Sequence, residues 1–503
     1  MEKKLVINNL REIRGSFFTP KTWADKSKEY LASVFGADWQ DEYYVWDCAA
    51  GTGNLLAGLS NEYNVWASDV DQGNVETMQS LIDIDENLNL LSGHVFQFDF
   101  LNDSFDKLPE ELKKIIDDPE KRKKLIVYIN PPYAEATSAT TVTGTGKNKA
   151  EVATAHKTKD RFKLTIGAAT NEIYAQFMAR IYCDIQGCCL AQFSTVKYIC
   201  TQNFIKFRQF FKAEFKTGFI VHADTFDNVD GKFPIGFTIW DLNGKPFTHC
   251  VELDVPEEGG TKKFWDGAEP SINKWIKKFD VYKTNAIGFM GNYAPDFLVM
   301  HQPYITVARG THHVNYFAFN ECNIMEGCVY LAVRLCIELT WLNNRDQFYY
   351  PNDGYKTDTE FQNNCLIFTL FHGQNRISSQ YGVNHWIPFT EKEVSSKEKF
   401  ESNFMSGFLA DKTFSTEAAA VLDTGKELWK YYHVKIKNDK TASHNASFYD
   451  IREYFQGRKE NGTMNTKSTD ETYNGLIKIL REALKVLAKK IEPAVYKYGF
   501  LRE

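Results

Sequence analysis

This 503-residue sequence predicts an α/β fold: a doubly wound, mostly parallel sheet in the first half, then a mixed α+β region ending in helices. Three observations carry that prediction. Apolar runs of strand length alternate with helical stretches as far as about Leu242, the pattern of βα units that build a parallel sheet. Several of these runs stop at acids, glycines or prolines, which punctuate strands sharply. Near Val251 the grammar changes to an aromatic-rich, irregular stretch, and from Thr416 helices dominate. The chain is too long for one ordinary core, and the divisions fall at 1–250, 251–415 and 416–503.

Each element follows in order. "YYVWDCAAGTGNLLAGLS" (Tyr43–Ser60) reads as a buried strand, a glycine turn and a helix. "YNVWASDVD" (Tyr63–Asp71) is a second strand ending in acids, with "GNVETMQSLIDI" as its helix. "HVFQFDFLN" (His94–Asn102) is a third strand and "KKLIVYIN" (Lys123–Asn130) a fourth. The fourth ends in Asn130-Pro131-Pro132-Tyr133. The two prolines fix φ and remove backbone donors, and Pro131 pushes Asn130 out of the helical region.

Residues 134–170 are largely polar, rich in Thr and Gly, and read as a long loop. "NEIYAQFMARIYCDI" is then a helix, "GCCLAQFSTVKYI" a buried strand and "FIKFRQFFKAEF" a helix. "KFPIGFTIWDL" (Lys232–Leu242) is an antiparallel strand completing the sheet, and "DVPEEGGTKKFWDG" (Asp254–Gly267) a linker. In the last helix, Tyr473, Leu476, Ile477, Leu480, Leu484, Leu487 and Ile491 fall on one face, as a core stripe does.

Composition narrows the class. Apolar residues make up 43% and aromatics 15%, enough for large cores. "MEKKLVINNLREIRGSFF" has no apolar signal-peptide region. No charge-free apolar run reaches the ~18 residues of a membrane helix; Cys328–Leu342 comes nearest, and Arg334 and Glu338 interrupt it. A soluble, cytoplasmic protein is expected. The ten cysteines lack paired metal spacing and suit buried, reduced thiols. His312-His313 has no matching ligand cluster, so no metal site is expected. Net charge is −6, yet residues 61–120 alone carry −12, leaving +6 for the rest. Basic clusters at Lys121–Lys124, Gly146–Lys163, Lys426–Lys440 and Arg452–Lys490 could face a polyanion.

Ligands of open α/β sheets bind at the carboxyl ends of the strands, and that is where the unusual residues fall. In "DCAAGTGN" (Asp47–Asn54), Gly51 and Gly53 allow a close backbone turn, but this is not the dinucleotide fingerprint. Asp47 places a carboxylate where a pyrophosphate would need donors, which favours a cationic or neutral ligand. Asp69 ends the second strand, where a carboxylate can accept from a ribose diol. Asp99, followed by Phe100, offers an acceptor beside a ring, suited to an adenine.

In this order the motifs resemble the gamma group of S-adenosylmethionine-dependent amino-methyltransferases that form N6-methyladenine in DNA. The resemblance covers about Arg11 to Leu242. "GSFFTP" (Gly15–Pro20) is similar to that family's N-terminal donor-site motif and brings in Phe18, Thr19 and Pro20. "DCAAGTGN" is similar to the glycine motif with Asp47, Ala49, Gly51 and Gly53, "SDVD" to the ribose acid, "DFL" to the adenine acid, and "NPPY" to the catalytic motif. "TFDNVDGKFPIGFTIW" resembles the late aromatic motif, with Phe226 as the ring beside the target base and Phe233 as the alternative.

The resemblance implies a Rossmann-like class I methyltransferase domain, S-adenosylmethionine as cofactor, and double-stranded DNA as partner. Asn130 and the Pro131 carbonyl, held rigid by Pro131 and Pro132, would draw the lone pair of the target amine out of conjugation, while Tyr133 stacks on a flipped-out base. Since the glycine motif precedes the catalytic one, target recognition is expected C-terminal to about 251. No nuclease constellation is evident: the ExK of "AEFK" (Ala213–Lys216) lies on an expected helix without a partner acid. A cognate restriction endonuclease would then be a separate partner. Methylation of RNA or protein glutamine, and a non-catalytic DNA-binding module, are the competing readings.

Overall fold

The structure is a computed structural model that describes residues 19–82, 88–133, 156–226, 231–280, 285–292, 294–297, 303–307 and 315–503. It divides into two compact units, one reaching residue 268 together with Thr340–Asp346, the other formed by Glu269–Leu339 and Gln347–Glu503.

The first unit begins with α1 (Lys21–Phe35). Its sheet runs through β1 (Tyr44–Asp47), β2 (Val65–Asp69), β3 (Val95–Gln97), β4 (Leu125–Ile129), β5 (Cys189–Thr195), β6 (Glu214–His222), β7 (Pro234–Asp241), β8 (Cys250–Asp254) and β9 (Thr261–Trp265). The spatial order is β3-β2-β1-β4-β5-β7-β6-β8-β9. β1 pairs in parallel with both β2 and β4, β4 with β5, and β7 is antiparallel to β5 and β6. This is the expected doubly wound, mostly parallel sheet, extended by one hairpin. β4 and β5 are buried along their whole length, which is why they read as near-continuous apolar runs rather than alternating ones. Flanking helices include α2 (Gln72–Ile82), α3 (Glu110–Asp117), α4 (Lys157–Ile166) and α5 (Ile173–Asp184).

Several local expectations change. After the glycine motif the chain makes successive tight turns, with Gly53, Leu56 and Leu59 each donating to the carbonyl three residues back, and no α-helix forms. Gly51, Gly53 and Gly58 all have positive φ, which breaks helical continuity. The polar stretch expected to run to 170 gives way to α4 at Lys157; its residues 134–155 lie outside the described residues. Glu214–Lys216 of the ExK lies in β6, not on a helix. The expected linker is instead the hairpin β8–β9, turned at Gly259 and Gly260, both with positive φ. The first unit therefore runs past residue 250.

The second unit has a four-stranded sheet, β12 (Asn315–Phe319), β10 (Gly288–Asn292), β11 (Tyr304–Thr306) and β13 (Asn375–Arg376) in spatial order. Helices α6 (Ile324–Leu335), α7 (Thr359–Phe371), α8 (Thr416–Lys435), α9 (Phe448–Gln456) and α10 (Glu471–Lys497) pack with it around one core. That core runs from Ile272 to Leu501, so the regions expected at 251–415 and 416–503 share it from residue 269 onward. In α10, Tyr473, Ile477, Leu480, Leu487 and Ile491 are buried, with Leu476 and Leu484 packed partly against them.

Candidate active site

The strand order reverses between β1 and β4, and a cavity of about 670 Å³ opens there, at the carboxyl ends of β1 to β4. Its walls come from the loops after these strands, from Thr19 and His156, and from Ile173 and Phe177 of α5.

Asp47 closes β1 and is 1% exposed. One of its oxygens accepts the Ala49 N–H at 3.0 Å. Burial pushes its carboxyl up to about 8; that N–H works against the shift and the neighbouring Asp69 charge adds to it. Asp69, at the end of β2, accepts the Gly51 N–H (2.9 Å) on one oxygen and Asp71 N–H (2.8 Å) and Asn74 Nδ2 (3.0 Å) on the other. It therefore ties the glycine turn to the end of β2, as well as facing the cavity. Burial raises its carboxyl too, against these donors. Gly51 has φ +57°, and a side chain there would meet nothing within 4 Å, so the turn leaves the cavity floor open.

After β3, Asp99 accepts the N–H groups of Leu101 and Asn102 and the Asn102 side-chain amide. That amide also lies 3.2 Å from His156 Nδ1. Phe100 is buried and stacks on Phe177, with ring centroids 5.0 Å apart. Arg180 of α5 donates to the carbonyls of Phe100 and Asp103 and so fixes this loop.

At the end of β4, Asn130 and Pro132 line the cavity while Pro131 is buried behind them. Asn130 Nδ2 donates to Thr19 Oγ1 at 2.8 Å, and Tyr133 Oη donates to Asn130 Oδ1 at 2.5 Å. The amide oxygen therefore lies on the Tyr133 side and the nitrogen on the Thr19 side.

The structure thus gathers Thr19, Asp47, Ala49, Gly51, Asp69, Asp99, Phe100, Asn130 and Pro132 on one cavity. Pro20 starts α1, its carbonyl accepting from Trp23 and Ala24. Gly53 (φ +84°) packs against Leu88 and Met78 beneath the turn. Phe18 lies outside the described residues. Phe226 is 1% exposed and packs against Phe193, so it does not present a ring face to a base. Phe233, the alternative, is partly buried, with the Arg345 guanidinium 5.4 Å from its ring centroid. The wall residues Asn54, Asn74, His156, Ile173 and Phe177 were not singled out in the sequence, where Ile173 and Phe177 look like ordinary core positions on a helix.

Among the described residues, the lining holds four aspartates (Asp47, Asp69, Asp71 and Asp99) and neither lysine nor arginine. Such a cavity disfavours phosphate groups and suits a ligand with positive charge and hydroxyl or amine donors. S-adenosylmethionine fits this donor set through its sulfonium, ammonium, ribose diol and adenine.

No family model and no curated protein matches the chain. Among solved structures it is similar to a DrdV–DNA complex (13% identity, TM-score 0.37, covering 49% of this chain and 28% of that one). It is also similar to the type IIG restriction endonuclease BpuSI (18%, 0.30, 48% and 27%) and to the M protein of the type I restriction enzyme EcoKI (13%, 0.30, 48% and 48%). The chain spans under a third of the length of the first two and about half of the third.

Proposed function

We propose that the protein is a site-specific DNA methyltransferase that uses S-adenosylmethionine to methylate N6 of a flipped-out adenine. The observation that carries this reading is the acid-lined cavity meeting the Asn130-Pro131-Pro132-Tyr133 corner at the switch point of the sheet. When bound there, S-adenosylmethionine supplies an electrophilic methyl group carried on a sulfonium. Asp69 and Asp99 are suited to the ribose and adenine, and Asp47 supplies negative charge beneath the cationic donor.

Asn130 and Pro131 act on the acceptor. An aromatic amine is a weak nucleophile because its lone pair is delocalised into the ring. The Asn130 Oδ1 and the Pro131 carbonyl accept its two N–H groups and favour a tetrahedral nitrogen whose lone pair faces the methyl. Thr19 holds the Asn130 amide from its nitrogen side, which keeps its oxygen on the side of Tyr133. The nitrogen would gain the methyl as the sulfur–methyl bond breaks, its electron pair staying on sulfur to leave a neutral thioether, and the nitrogen would shed a proton to water. Tyr133 stacks on the extruded base, since a base inside a duplex is out of reach. In the same reading, the second unit carries target recognition, and the enzyme serves a restriction–modification, phage-defence or orphan methylation system.

Parallel assays of tritium transfer from labelled donor to DNA, RNA and protein test the reading, with nucleoside analysis of the DNA product. N6-methyladenine at a defined sequence is the expected result. Label in RNA or glutamine alone overturns the substrate, and label in none overturns the activity.

A further inference from the structure

A second cavity, of about 450 Å³, lies in the second unit along α10. Asn474, Lys478, Arg481 and Lys485 recur at helical spacing and form one stripe beside the buried stripe of Tyr473 and Ile477. Lys467, from the loop before the helix, joins them. The one acid in the lining, Glu482, is paired with Lys485 at 3.0 Å. Among the described residues, Lys467, Lys478 and Arg481 have no carboxylate partner, and all three are exposed.

The other basic cluster is different. Lys426 pairs with Glu393 (3.1 Å), Lys430 with Glu427 (2.7 Å) and Lys435 with Asp470 (2.9 Å). Sequence alone ranks the two clusters equally. Within Arg452–Lys490 the fold pairs Arg458, Lys485, Lys489 and Lys490 with carboxylates, and it gathers the remaining Lys467, Lys478 and Arg481 on one cavity. Arg452 of α9 lies near this group. Its guanidinium lies over the Phe448 ring, and its Nε has no hydrogen-bond partner. Burial lowers its affinity for a proton, and the nearby positive charges of Arg481 and Arg376 lower it further. Like charges held together without carboxylates disfavour the free state and favour a polyanion. Lys478 and Arg481 lie one turn apart on the same helix face, close enough to reach neighbouring phosphates of one strand.

We propose that this stripe tracks the phosphodiester backbone of the duplex DNA substrate, with Lys467, Lys478 and Arg481 making the contacts. The proposal rests on the reading of the chain as a DNA methyltransferase. The test uses the full-length chain carrying Lys467→Gln, Lys478→Gln and Arg481→Gln together, and a control carrying Lys426→Gln, Lys430→Gln and Lys435→Gln, which has the same net charge. Fluorescence anisotropy with a labelled duplex, and with an RNA duplex in parallel, gives the slope of log affinity against log salt. The first variant should flatten the DNA slope by about 2 to 3, at about 0.9 per lost phosphate contact. The control should keep the wild-type slope, and both should bind donor as the wild type does. An unchanged slope in the first variant, an equal change in the control, or a loss confined to RNA overturns the proposal. If the wild type binds DNA but transfers no methyl to it, and the first variant flattens the slope as stated, the methyltransferase reading falls and the backbone site stands. If the wild type methylates DNA and the slope does not move, only the backbone site falls.

Discussion

Asp47 offers the sharpest test of the acid-lined cavity. Burial holds its carboxyl at about 8, far above the usual carboxylate range. At pH 7 such a group is ionised in roughly one molecule in ten. A cationic donor that selects the carboxylate must first take up that proton-release cost, about 1.4 kcal/mol, or about tenfold in affinity. Donor affinity should therefore tighten about tenfold between pH 7 and pH 9–10. The amino group of the ligand loses its own proton near pH 8, which acts the other way, so the comparison must be with a variant. Asp47→Asn keeps the shape and removes the titration. Isothermal calorimetry of S-adenosylmethionine binding across pH 6.5–9.5 should show much of the wild-type slope lost in Asp47→Asn. The sign for folding is opposite: a carboxyl raised in the folded state favours folding at low pH, and that contribution is lost as pH climbs from about 4 to about 8. Relative to the wild type, Asp47→Asn should gain thermal stability above pH 8. A variant with the full wild-type binding slope refutes the role of Asp47 toward the donor.

Other substitutions separate binding from chemistry. Asp69→Ala should weaken donor binding by about 1.5–3 kcal/mol and also lower the melting temperature, since Asp69 holds Gly51, Asp71 and Asn74; unchanged calorimetry would reduce it to a turn residue and direct attention to Asp71. Asn130→Ala should slow single-turnover methyl transfer on the order of 100-fold with donor affinity unchanged; a near-normal rate removes the proposed catalytic site. Thr19→Val takes away the bond that orients the Asn130 amide and should cost up to about tenfold in that rate. Tyr133→Phe keeps the ring and should stay within about tenfold of the wild type. Tyr133→Ala loses stacking worth about 1–3 kcal/mol, read with a fluorescent adenine analogue at the target position; equal loss in both variants would assign the role to the hydroxyl.

Much of the site was legible because its residues sit where strands stop. A strand end is a local event in sequence: Asp47, Asp69 and Asn130 each follow a run that is apolar on both faces, and a parallel sheet aligns those ends. The mostly parallel, doubly wound character of the sheet followed from the same alternation, with β7 recognisable as the antiparallel strand by its β-rich run. Contacts between distant segments were not legible. Phe177 and Arg180 lie on a helix whose first nine residues are all buried, so its facing toward the cavity left no periodic trace. Phe226 and Phe233 are equivalent by composition, and only packing puts one in the core and leaves the other partly exposed. The β8–β9 hairpin was hidden because its charged strands, "CVELD" and "TKKFW", alternate too weakly to stand out from a linker.

The hydrogen bonds around Asn130 show what the rigid corner does. A carboxamide can flip, and a flipped Asn130 would present donors to an amine that needs acceptors. Thr19 lies 111 positions earlier and receives the amide nitrogen, while Tyr133, three positions later, donates to the oxygen. In this arrangement Thr19 Oγ1 accepts at one end and Tyr133 Oη donates at the other, which places the amide oxygen on the Tyr133 side. Tyr133 occupies one lone-pair direction of Oδ1. The ring that would stack on the base and the oxygen that would activate its amine are thus joined by a single bond. The two prolines keep that joint from relaxing into a helix.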